Sequence, residues 1–535
     1  MEMVFGMAAV SFAVVFLVYL WTLLNWAWFR PRKLEKCLRQ QGLKGNKYNF
    51  LFGDLKQLTK STKEAKSKPM NLSDDISPRV VPFVIDAIQR NGMFHNLSFV
   101  WADFKIHVLL LGENSFIWVG PNPMVLIRDP GLIRDILTKY TVYQKPTTNP
   151  LTKLLIQGVA THEEEKWYKH RRIINPAFHM EKLKHMVPTF YTCCIEMLGK
   201  WEKKVGEQSL AEVDVWPHLQ QMTSDAISRT AFGSNYEEER NIFELQTEQA
   251  GHRTIVLQSI YIPGWRFLPT WRNRRMKEIE KQVQASIGRT IDKKVKAMKA
   301  GEGSKDDLLG ILLGSNFKEM EEHENRDFGM TTSEVIDECR LFYLAGQETT
   351  SVLLVWTMIL LGRHQEWQTR AREEVFRLFG KGKPDIDGLN HMKIVPMILN
   401  ETLRLYPPVI SLTRQTKHET RLGDVMLPQG VQISMPVILN HRDEKMWGDD
   451  AKEFNPERFS RGVSKATKEQ LSYLPFGGGP RICVGINFVM LEAKLVIAMI
   501  LQRYSFELSP SYAHAPTMLV SLQPQYGAPL LLTKL

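Results

Sequence analysis

The chain has 535 residues, 44% of them hydrophobic, and a formal net charge of +11. Residues 81–535 are long enough for one large catalytic domain or two smaller ones. The five cysteines form an odd, scattered set without a C-x-x-C pair, which argues against a disulfide-stapled secreted protein and gives a zinc site little support.

The N-terminal segment, residues 3–29, has no charged residue and is longer than the ~20 apolar residues that cross a bilayer. It therefore predicts a transmembrane anchor. A cleaved signal peptide is the alternative, but Glu2 stands where basic residues are usual and no small-x-small cleavage site follows. Pro31 is expected to break the helix at the membrane exit. Three tryptophans near the end of the segment suit an interfacial aromatic belt: Trp21, Trp26 and Trp28.

Residues 30–80 are predicted to be a basic flank and a linker. Between residues 30 and 47, seven lysines and arginines stand against one acid. The positive-inside rule places this flank, and everything after it, in the cytosol. Because much of the basic excess lies beside the membrane, we expect anionic lipid as its partner and no nucleic acid. Residues 56–78 are polar and charged, which predicts a mobile linker.

The remaining residues, 81–535, contain no evident internal repeat, and long helical patterns dominate them. Helices are predicted at residues 181–205, 276–300, 332–363, 366–378 and 486–503. Short strands are predicted at residues 115–119, 124–128, 425–427 and 432–436.

Two motifs come first along this part of the chain. Residues 167–172 (Trp-Tyr-Lys-His-Arg-Arg) form a basic cluster that by itself could be a solvated helix face. Residues 345–350 (Ala-Gly-Gln-Glu-Thr-Thr) lie inside a predicted helix, where glycine costs about 1 kcal/mol relative to alanine. A kink beside a ligand is one reason to keep such a glycine. Taken alone, Thr349 could bond back to its own helix and Glu348 could be solvated.

A third motif, residues 401–404 (Glu-Thr-Leu-Arg), puts Glu401 and Arg404 on one helical face before two prolines stop the helix. The spacing alone carries no signal, because residues 374–377 repeat it and are interpreted as a solvated pair. What distinguishes the copy at residues 401–404 is the later run at residues 454–459, which contains Arg458.

Cys483 follows three consecutive glycines and a proline, residues that exclude a regular helix or strand and predict a tight loop. The next residues, 486–503, have the pattern of an amphipathic helix, so the sulfur lies at a helix N-terminus, where the thiolate is favoured. A thiolate on a loop with one open face suits a haem iron better than a tetrahedral metal. A buried, inert thiol is the alternative.

The pattern Phe-x-x-Gly-x-Arg-x-Cys-x-Gly resembles the signature of the cytochrome P-450 family of haem-thiolate monooxygenases. The resemblance implies a mainly α fold with a small β-sheet region, preceded by one transmembrane helix, and a haem b cofactor. All five fixed positions of the signature are present: Phe476, Gly479, Arg481, Cys483 and Gly485.

By that resemblance, Cys483 is the axial iron ligand and Phe476 packs beside its sulfur. Gly479 and Gly485 would let the backbone approach the porphyrin. The haem propionates would be contacted by a further set of residues: Arg481, Trp167, Arg171 and Arg414.

The resemblance also assigns the other motifs. Thr349 would hydrogen-bond dioxygen on the distal side, and Glu348 would relay protons as a general acid. Glu401, Arg404 and Arg458 would form a buried network that fixes the cysteine loop.

Electrons should come from NADPH through an acidic flavoprotein reductase, because the chain has no glycine-rich nucleotide fingerprint. The resemblance places the enzyme in the endoplasmic reticulum membrane as a single-pass protein with a cytosolic catalytic domain. The reductase is expected to dock by electrostatic steering on a basic face on the cysteine side of the haem: Lys166, Lys169, Arg172, Lys182 and Lys184.

Three stretches, beginning at Asn25, Glu165 and Ser509, resemble the plant subfamily that includes secologanin synthase. This resemblance implies oxidation of a lipophilic terpenoid, such as an iridoid, a triterpenoid or a steroidal compound. Two other functions stay open. One is a haem-thiolate isomerase or dehydratase that does not use O2, and the other is a non-catalytic haem or ligand-binding protein. Glu348 and Thr349 count against both.

One segment departs from the subfamily pattern. Residues 93–113 fill a place where relatives of this type need only a residue or two. A true insertion would be an apolar segment near the membrane, and a retained intron in the gene model is the alternative that we favour.

Overall fold

The structure is a computed structural model that describes residues 2–92, 115–146, 149–206, 209–234, 236–301, 307–322, 328–467 and 471–535. Residues 93–113, the expected insertion or retained intron, lie outside these ranges. The α-helices of the described chain are α1 Glu2–Leu24, α2 Arg30–Gln40, α3 Leu55–Ser67, α4 Ser77–Val80, α5 Pro82–Gly92, α6 Pro130–Thr138, α7 Glu164–Ile174, α8 Met180–Leu183, α9 Val187–Val205, α10 Val215–Ile227, α11 Tyr236–Leu257, α12 Trp271–Lys299, α13 Leu308–Glu322, α14 Thr332–Arg363, α15 Gln365–Phe379, α16 Ile386–His391, α17 Ile394–Leu405, α18 Val437–Asn440, α19 Glu444–Trp447 and α20 Ile486–Leu501.

The strands are short and lie mostly near the two ends of the catalytic part. They are β1 Lys44–Gly45, β2 Ser115–Val119, β3 Asn122–Leu126, β4 Tyr143–Gln144, β5 Leu210–Asp214, β6 Leu412–Thr416, β7 Thr420–Leu422, β8 Val425–Leu427, β9 Gln432–Met435, β10 Tyr504–Leu508, β11 Pro516–Met518, β12 Leu522–Pro524 and β13 Pro529–Lys534. The largest sheet of the described chain has the order β1-β2-β3-β9-β6-β4. The predicted fold class, mainly α with a small β-sheet region, is confirmed.

Helix α14 runs through the middle of the main hydrophobic core. Its N-terminus is a capping box, in which Thr331 and Glu334 satisfy each other's backbone N–H groups. Its second half is almost wholly buried, with Trp356 inaccessible to solvent. Because this stretch is surrounded by protein, apolar residues occur on all its sides rather than on one stripe. The predicted bounds, 332–363, are confirmed.

The N-terminal apolar helix continues past the residue that was expected to end it. Residues 2–40 are helical throughout, with a π-helical segment at Asn25–Phe29 between α1 and α2. The prediction that Pro31 breaks the helix is wrong. Proline leaves the carbonyl of Ala27, four residues earlier, without its usual helical donor. The hydroxyl of Tyr48 donates to that oxygen at 2.7 Å instead.

The long helix from Met7 to Gln40 has a mean hydropathy of 2.3 over its most apolar 18 residues, and none of those 18 residues is buried by the protein. Its length and composition fit a membrane anchor. Helix α14 is also long and apolar enough to cross a membrane. However, 72% of its most apolar 18 residues are buried in the protein, as expected of a core helix.

The polar segment at residues 56–78, expected to be a mobile linker, is largely helical. Helix α3 occupies most of it. The buried guanidinium of Arg79 donates to the carbonyls of Ala65, Lys66 and Lys68 at 2.7–3.2 Å, which ties the C-terminal end of α3 to the domain. The polar composition of the segment predicts a linker because it does not show that an arginine outside the segment satisfies the carbonyls at the end of α3.

Candidate active site

A cavity of about 360 Å³ lies between the middle of α14 and the loop that carries Cys483. Helices α7, α10, α17 and α20 and strand β6 also contribute to its wall. The wall is mainly apolar and brings together most of the residues predicted from the motifs: Trp167, Arg171, Thr349, Arg414, Phe476, Arg481, Cys483 and Gly485. Glu348 and Gly479 are not among the described lining residues.

The cysteine loop is closed by backbone bonds. The N–H of Cys483 donates to the carbonyl of Phe476 at 2.9 Å. Gly477 and Gly479 have φ angles of 75° and 66°, a left-handed conformation that only glycine adopts without strain. A Cβ at Gly479 would lie 2.5 Å from the carbonyl oxygen of Leu137, so this glycine permits contact with α6. Gly478, next to it, lines the cavity.

The thiol of Cys483 faces the cavity at the N-terminus of α20. Burial raises its pKa, and the N–H of Gly485 and the guanidinium of Arg171 oppose that effect without overcoming it. The expectation that the helix terminus alone favours the thiolate is therefore incomplete. Desolvation of the charged sulfur outweighs the two contacts that favour the thiolate, those with Gly485 and Arg171.

Four cationic side chains stand in the described cavity wall: Lys145, Arg171, Arg414 and Arg481. Arg481 pairs with Glu163 at 3.0 Å and lies over the Trp167 ring, with its guanidinium carbon 4.9 Å from the ring centroid. Arg171 donates to the carbonyl of Ile482 at 2.8 Å, which ties α7 to the cysteine loop.

Lys145 was not predicted from the sequence. Burial and the charges of Arg414 and Arg481 lower the pKa of its ammonium to about 7. The same causes, burial first and then Arg481, lower the pKa of Arg414 to about 10. A lone lysine before a proline carries no motif, so only its position beside two arginines distinguishes it.

This wall fits a planar dianionic group such as haem. Among the described residues, Glu163 is the carboxylate that pairs with one of the four cations, Arg481. The Nε atoms of Arg414 and Arg481 are buried without a hydrogen-bond partner in the described part of the chain. Two propionates would satisfy both the charge and the free donors. At the other end, glycine residues and a thiol leave room for a flat ring and a sulfur ligand.

The acid and the threonine of the α14 motif face different sides of the helix. Thr349 lines the cavity, and its hydroxyl donates to the carbonyl of Ala345 at 2.7 Å. Glu348 points elsewhere, and its carboxylate accepts a bond of 2.6 Å from the hydroxyl of Ser521. A Cβ at Gly346 would lie 2.8 Å from the side chain of Ile227, which would have to shift to admit it.

Glu401 and Arg404 form a fully buried, two-pronged ion pair with both N–O distances at 2.7 Å. The Nε of Arg458 lies 3.5 Å from the Glu401 carboxylate, so the three residues predicted as a network do come together. The guanidinium of Arg404 also donates to the carbonyls of His441 at 2.7 Å and Glu453 at 2.9 Å.

His441 connects this network to the cysteine loop and was missed from the sequence. Its Nδ1 lies 3.0 Å from the carbonyl of Arg404, and its Nε2 accepts from the backbone N–H of Leu474 at 2.9 Å. Burial lowers the pKa of His441 to about 3, so the ring is neutral and one nitrogen can accept. Leu474 stands two residues before Phe476.

The prediction that Glu374 and Arg377, the other Glu-x-x-Arg copy, form a solvated pair is wrong. The side chain of Glu374 is buried and accepts from the backbone N–H groups of Lys393, Ile394 and Val395 at 2.6–3.0 Å. It thus caps the N-terminus of α17, the helix that carries Glu401.

The predicted basic face is only partly available to a partner. Lys166 pairs with Glu334 at 2.7 Å, and Arg172 pairs with Glu319 at 2.5 Å. Lys169 donates to the carbonyl of Gly329 at 3.0 Å. Lys182, on α8, is exposed.

The comparisons with known proteins agree with this geometry. The family model described as cytochrome P-450 matches residues 77–528. A cytochrome P-450 of Panax ginseng is 56% identical over 537 residues, covering 100% of both chains. The 7-deoxyloganic acid hydroxylase of Catharanthus roseus is 50% identical, covering 98% of each chain. Secologanin synthase 1 from the same plant is 49% identical, covering 99% of this chain and 98% of its own.

Three findings lead to one assignment. The family model matches most of the chain, relatives are near 50% identity over their full length, and a thiol faces a cationic, glycine-lined cavity. The chain belongs to the cytochrome P-450 family, and it is an oxidoreductase of the monooxygenase type.

Proposed function

We propose that this protein is a membrane-bound haem-thiolate monooxygenase that oxidises a lipophilic terpenoid with electrons from an NADPH-dependent reductase. The family implies haem, and the observation that carries the proposal is the cavity that joins Cys483 to the cationic wall. When bound, the haem supplies the iron centre at which dioxygen is activated.

Each residue of the site then has a defined task. Cys483 holds the iron through its sulfur, and Phe476 and Gly485 shape the pocket around it. Lys145 and the three arginines orient the ring through its propionates, with Trp167 supporting Arg481. Thr349 lines the distal space with a hydroxyl whose proton is donated to the carbonyl of Ala345 in this structure, and Glu348 supplies protons from the same helix. Glu401, Arg404 and Arg458 keep the loop in place.

The substrate class rests on the cavity wall and on the relatives. Beyond the propionate-binding cations, the described wall is apolar, with Ile227, Phe342 and Leu353 among its residues. Such a wall suits a hydrocarbon skeleton. Two relatives from Catharanthus roseus are named as a 7-deoxyloganic acid hydroxylase and a secologanin synthase. Together with the subfamily resemblance, these names lead us to propose an iridoid or another terpenoid as the substrate.

We propose the chain organisation that follows from this function. Residues 3–29 anchor the protein in the endoplasmic reticulum membrane, residues 30–80 form the basic flank and the connection to the domain, and residues 81–535 form the cytosolic catalytic domain. The apolar helix and the basic residues after it support this orientation.

Microsomes that carry this protein and a reductase, incubated with a panel of terpenoids, test the function. We expect oxygenated product and NADPH consumption that depend on reductase, substrate and O2 together. Product formed without NADPH and O2 would instead indicate the isomerase or dehydratase. Tight binding of a terpenoid without turnover would indicate a ligand carrier.

Charge reversal on the basic face tests the docking of the reductase. Lys182→Glu is expected to slow reduction of the haem several-fold at low salt and to leave haem content unchanged, because an exposed rim charge acts mainly on the encounter rate. Stopped-flow reduction at two ionic strengths measures it. Lys182 is preferred over Arg172, whose ion pair with Glu319 would also be broken.

Lys60→Glu is the matched control for this docking experiment, since Lys60 is exposed on α3, a helix that contacts α4 and α5. Its pair with Glu64, at 3.8 Å between two exposed side chains, contributes about 0–1 kcal/mol, so losing it has little effect. Equal reduction rates in the two variants would contradict docking at this face.

A further inference from the structure

The hydrogen bond between Ser521 and Glu348 joins the active-site helix to the C-terminal hairpin. Ser521 lies 173 residues from Glu348 in the chain, and its hydroxyl is 2.6 Å from the Oε1 atom. The serine is 2% exposed, so the bond is shielded from water. A short bond from a neutral donor to a carboxylate is of the stronger, charge-assisted kind.

The hairpin is held rigidly against α14. Strands β11 and β12 pair in antiparallel register, Met518 with Leu522, and Ser521 lies in the turn between them. The indole N–H of Trp356 donates to the carbonyl of Leu522 at 2.7 Å, and the N–H of Leu522 donates to the carbonyl of Pro408 at 3.2 Å. The residue after Ser521 is thus anchored to α14 and to the segment that follows α17.

The turn of this hairpin and the residues beside it span residues 517–521. None of these is among the described lining residues, and one of them instead contacts the acid of the α14 motif. Adjacent residues on a helix point about 100° apart. Thr349 therefore faces the cavity while Glu348, one residue earlier, faces the hairpin.

We propose that Ser521 is a positioning residue for Glu348. Its hydroxyl holds the ionised carboxylate on the hairpin side of α14. The carboxylate then takes up a proton from water, which weakens the bond to Ser521, and the protonated acid turns to the cavity and delivers that proton. The inference rests on the proposed function, in which Glu348 is the proton donor. The carboxylate must exchange the serine bond for a cavity contact in each cycle, so the hairpin sets how often the acid is available.

Two opposing effects act on Glu348. Burial raises the pKa of its carboxyl, and the donated bond from Ser521 lowers it by stabilising the ionised form. Removing the hydroxyl should therefore leave the acid protonated to higher pH. We expect Ser521→Ala to raise the midpoint of the Glu348 titration by about one pH unit, the size expected for loss of one charge-assisted bond.

The experiment follows this titration by infrared spectroscopy of the full-length protein in a membrane. The C=O stretch of the protonated carboxyl is assigned by its absence in Glu348→Gln. Ser521→Ala should shift the midpoint upward, and the high-pH limit for coupling NADPH consumption to product should move in the same direction. Ser521→Thr, which keeps a hydroxyl, should titrate as the unchanged protein does.

Ser351→Ala is the matched control. That hydroxyl lies on the same helix and donates to the backbone carbonyl of Glu348 at 3.2 Å, without contacting its carboxylate. If Ser521→Ala does not retain its haem spectrum, Ser521→Cys takes its place, because cysteine is a weaker donor of similar size. The midpoint of the Glu348 titration should again move upward in that variant.

The outcomes separate the inference from the function on which it rests. A carboxyl that titrates at the same pH in Ser521→Ala, or in Ser521→Cys, as in the unchanged protein overturns the positioning role of Ser521. If Glu348→Gln couples NADPH to product as well as the unchanged protein does, the proton-donor role of Glu348 falls, whatever the serine variants show.

Discussion

Cys483→Ala is expected to remove the long-wavelength Soret band that a thiolate ligand gives to the reduced protein under carbon monoxide. The sulfur is the only thiol among the described residues of the cavity wall, because Cys193, Cys194 and Cys339 are buried elsewhere in the core. The cationic wall remains in the variant, so some haem can still bind through its propionates. Its spectrum, however, should lack the thiolate signature.

The measurement is a reduced carbon monoxide difference spectrum, together with total haem content by pyridine haemochrome. Cys37→Ala is the control, because Cys37 is a half-buried thiol at α2, far from the cavity in the chain, and it should keep the full band. A thiolate band of normal intensity in Cys483→Ala would refute the assignment of the iron ligand.

The second large effect is expected from Glu401→Gln. The substitution leaves the guanidinium of Arg404 fully buried without its ion-pair partner and leaves Arg458 without the carboxylate that it approaches at 3.5 Å. Breaking a buried pair from one side costs about 3–5 kcal/mol, much more than the pair itself contributes when intact. We expect the free energy of unfolding to fall by that amount, with loss of haem through the His441 and Leu474 connection.

Denaturant unfolding of the full-length protein in detergent, followed by haem absorbance and circular dichroism, measures this loss. Glu444→Gln is the control, since Glu444 is an exposed acid that pairs with Lys452 at 2.8 Å. An exposed pair contributes about 0–1 kcal/mol. If the two variants unfold at the same denaturant concentration, Glu401 does not hold the loop.

Local patterns predicted the parts of the molecule that nearby residues decide. The helix at 332–363 was predicted from its long helical pattern, and the structure adds the Thr-x-x-Glu capping box that begins it. The cysteine loop was found because glycine and proline exclude regular structure. The predicted strands at residues 115–119 and 425–427 also match β2 and β8, since their apolar residues alternate or run together over a few positions.

Some errors came from residues whose partners are far along the chain. Glu374 was read as solvated because nothing near it in sequence shows that it caps α17. Pro31 was expected to end a helix, and the hydroxyl of Tyr48 makes continuation possible.

Taken by itself, the amino-acid sequence determined the cysteine loop, the long helix with its acid and threonine, and the apolar N-terminal segment, since each depends on residues a few positions apart. The tertiary structure decided which charges meet. It placed Lys145 among the arginines of the cavity wall, joined His441 to the cysteine loop, and turned Glu348 toward Ser521. Such contacts depend on how elements more than a hundred residues apart are brought together, and no local pattern records that arrangement.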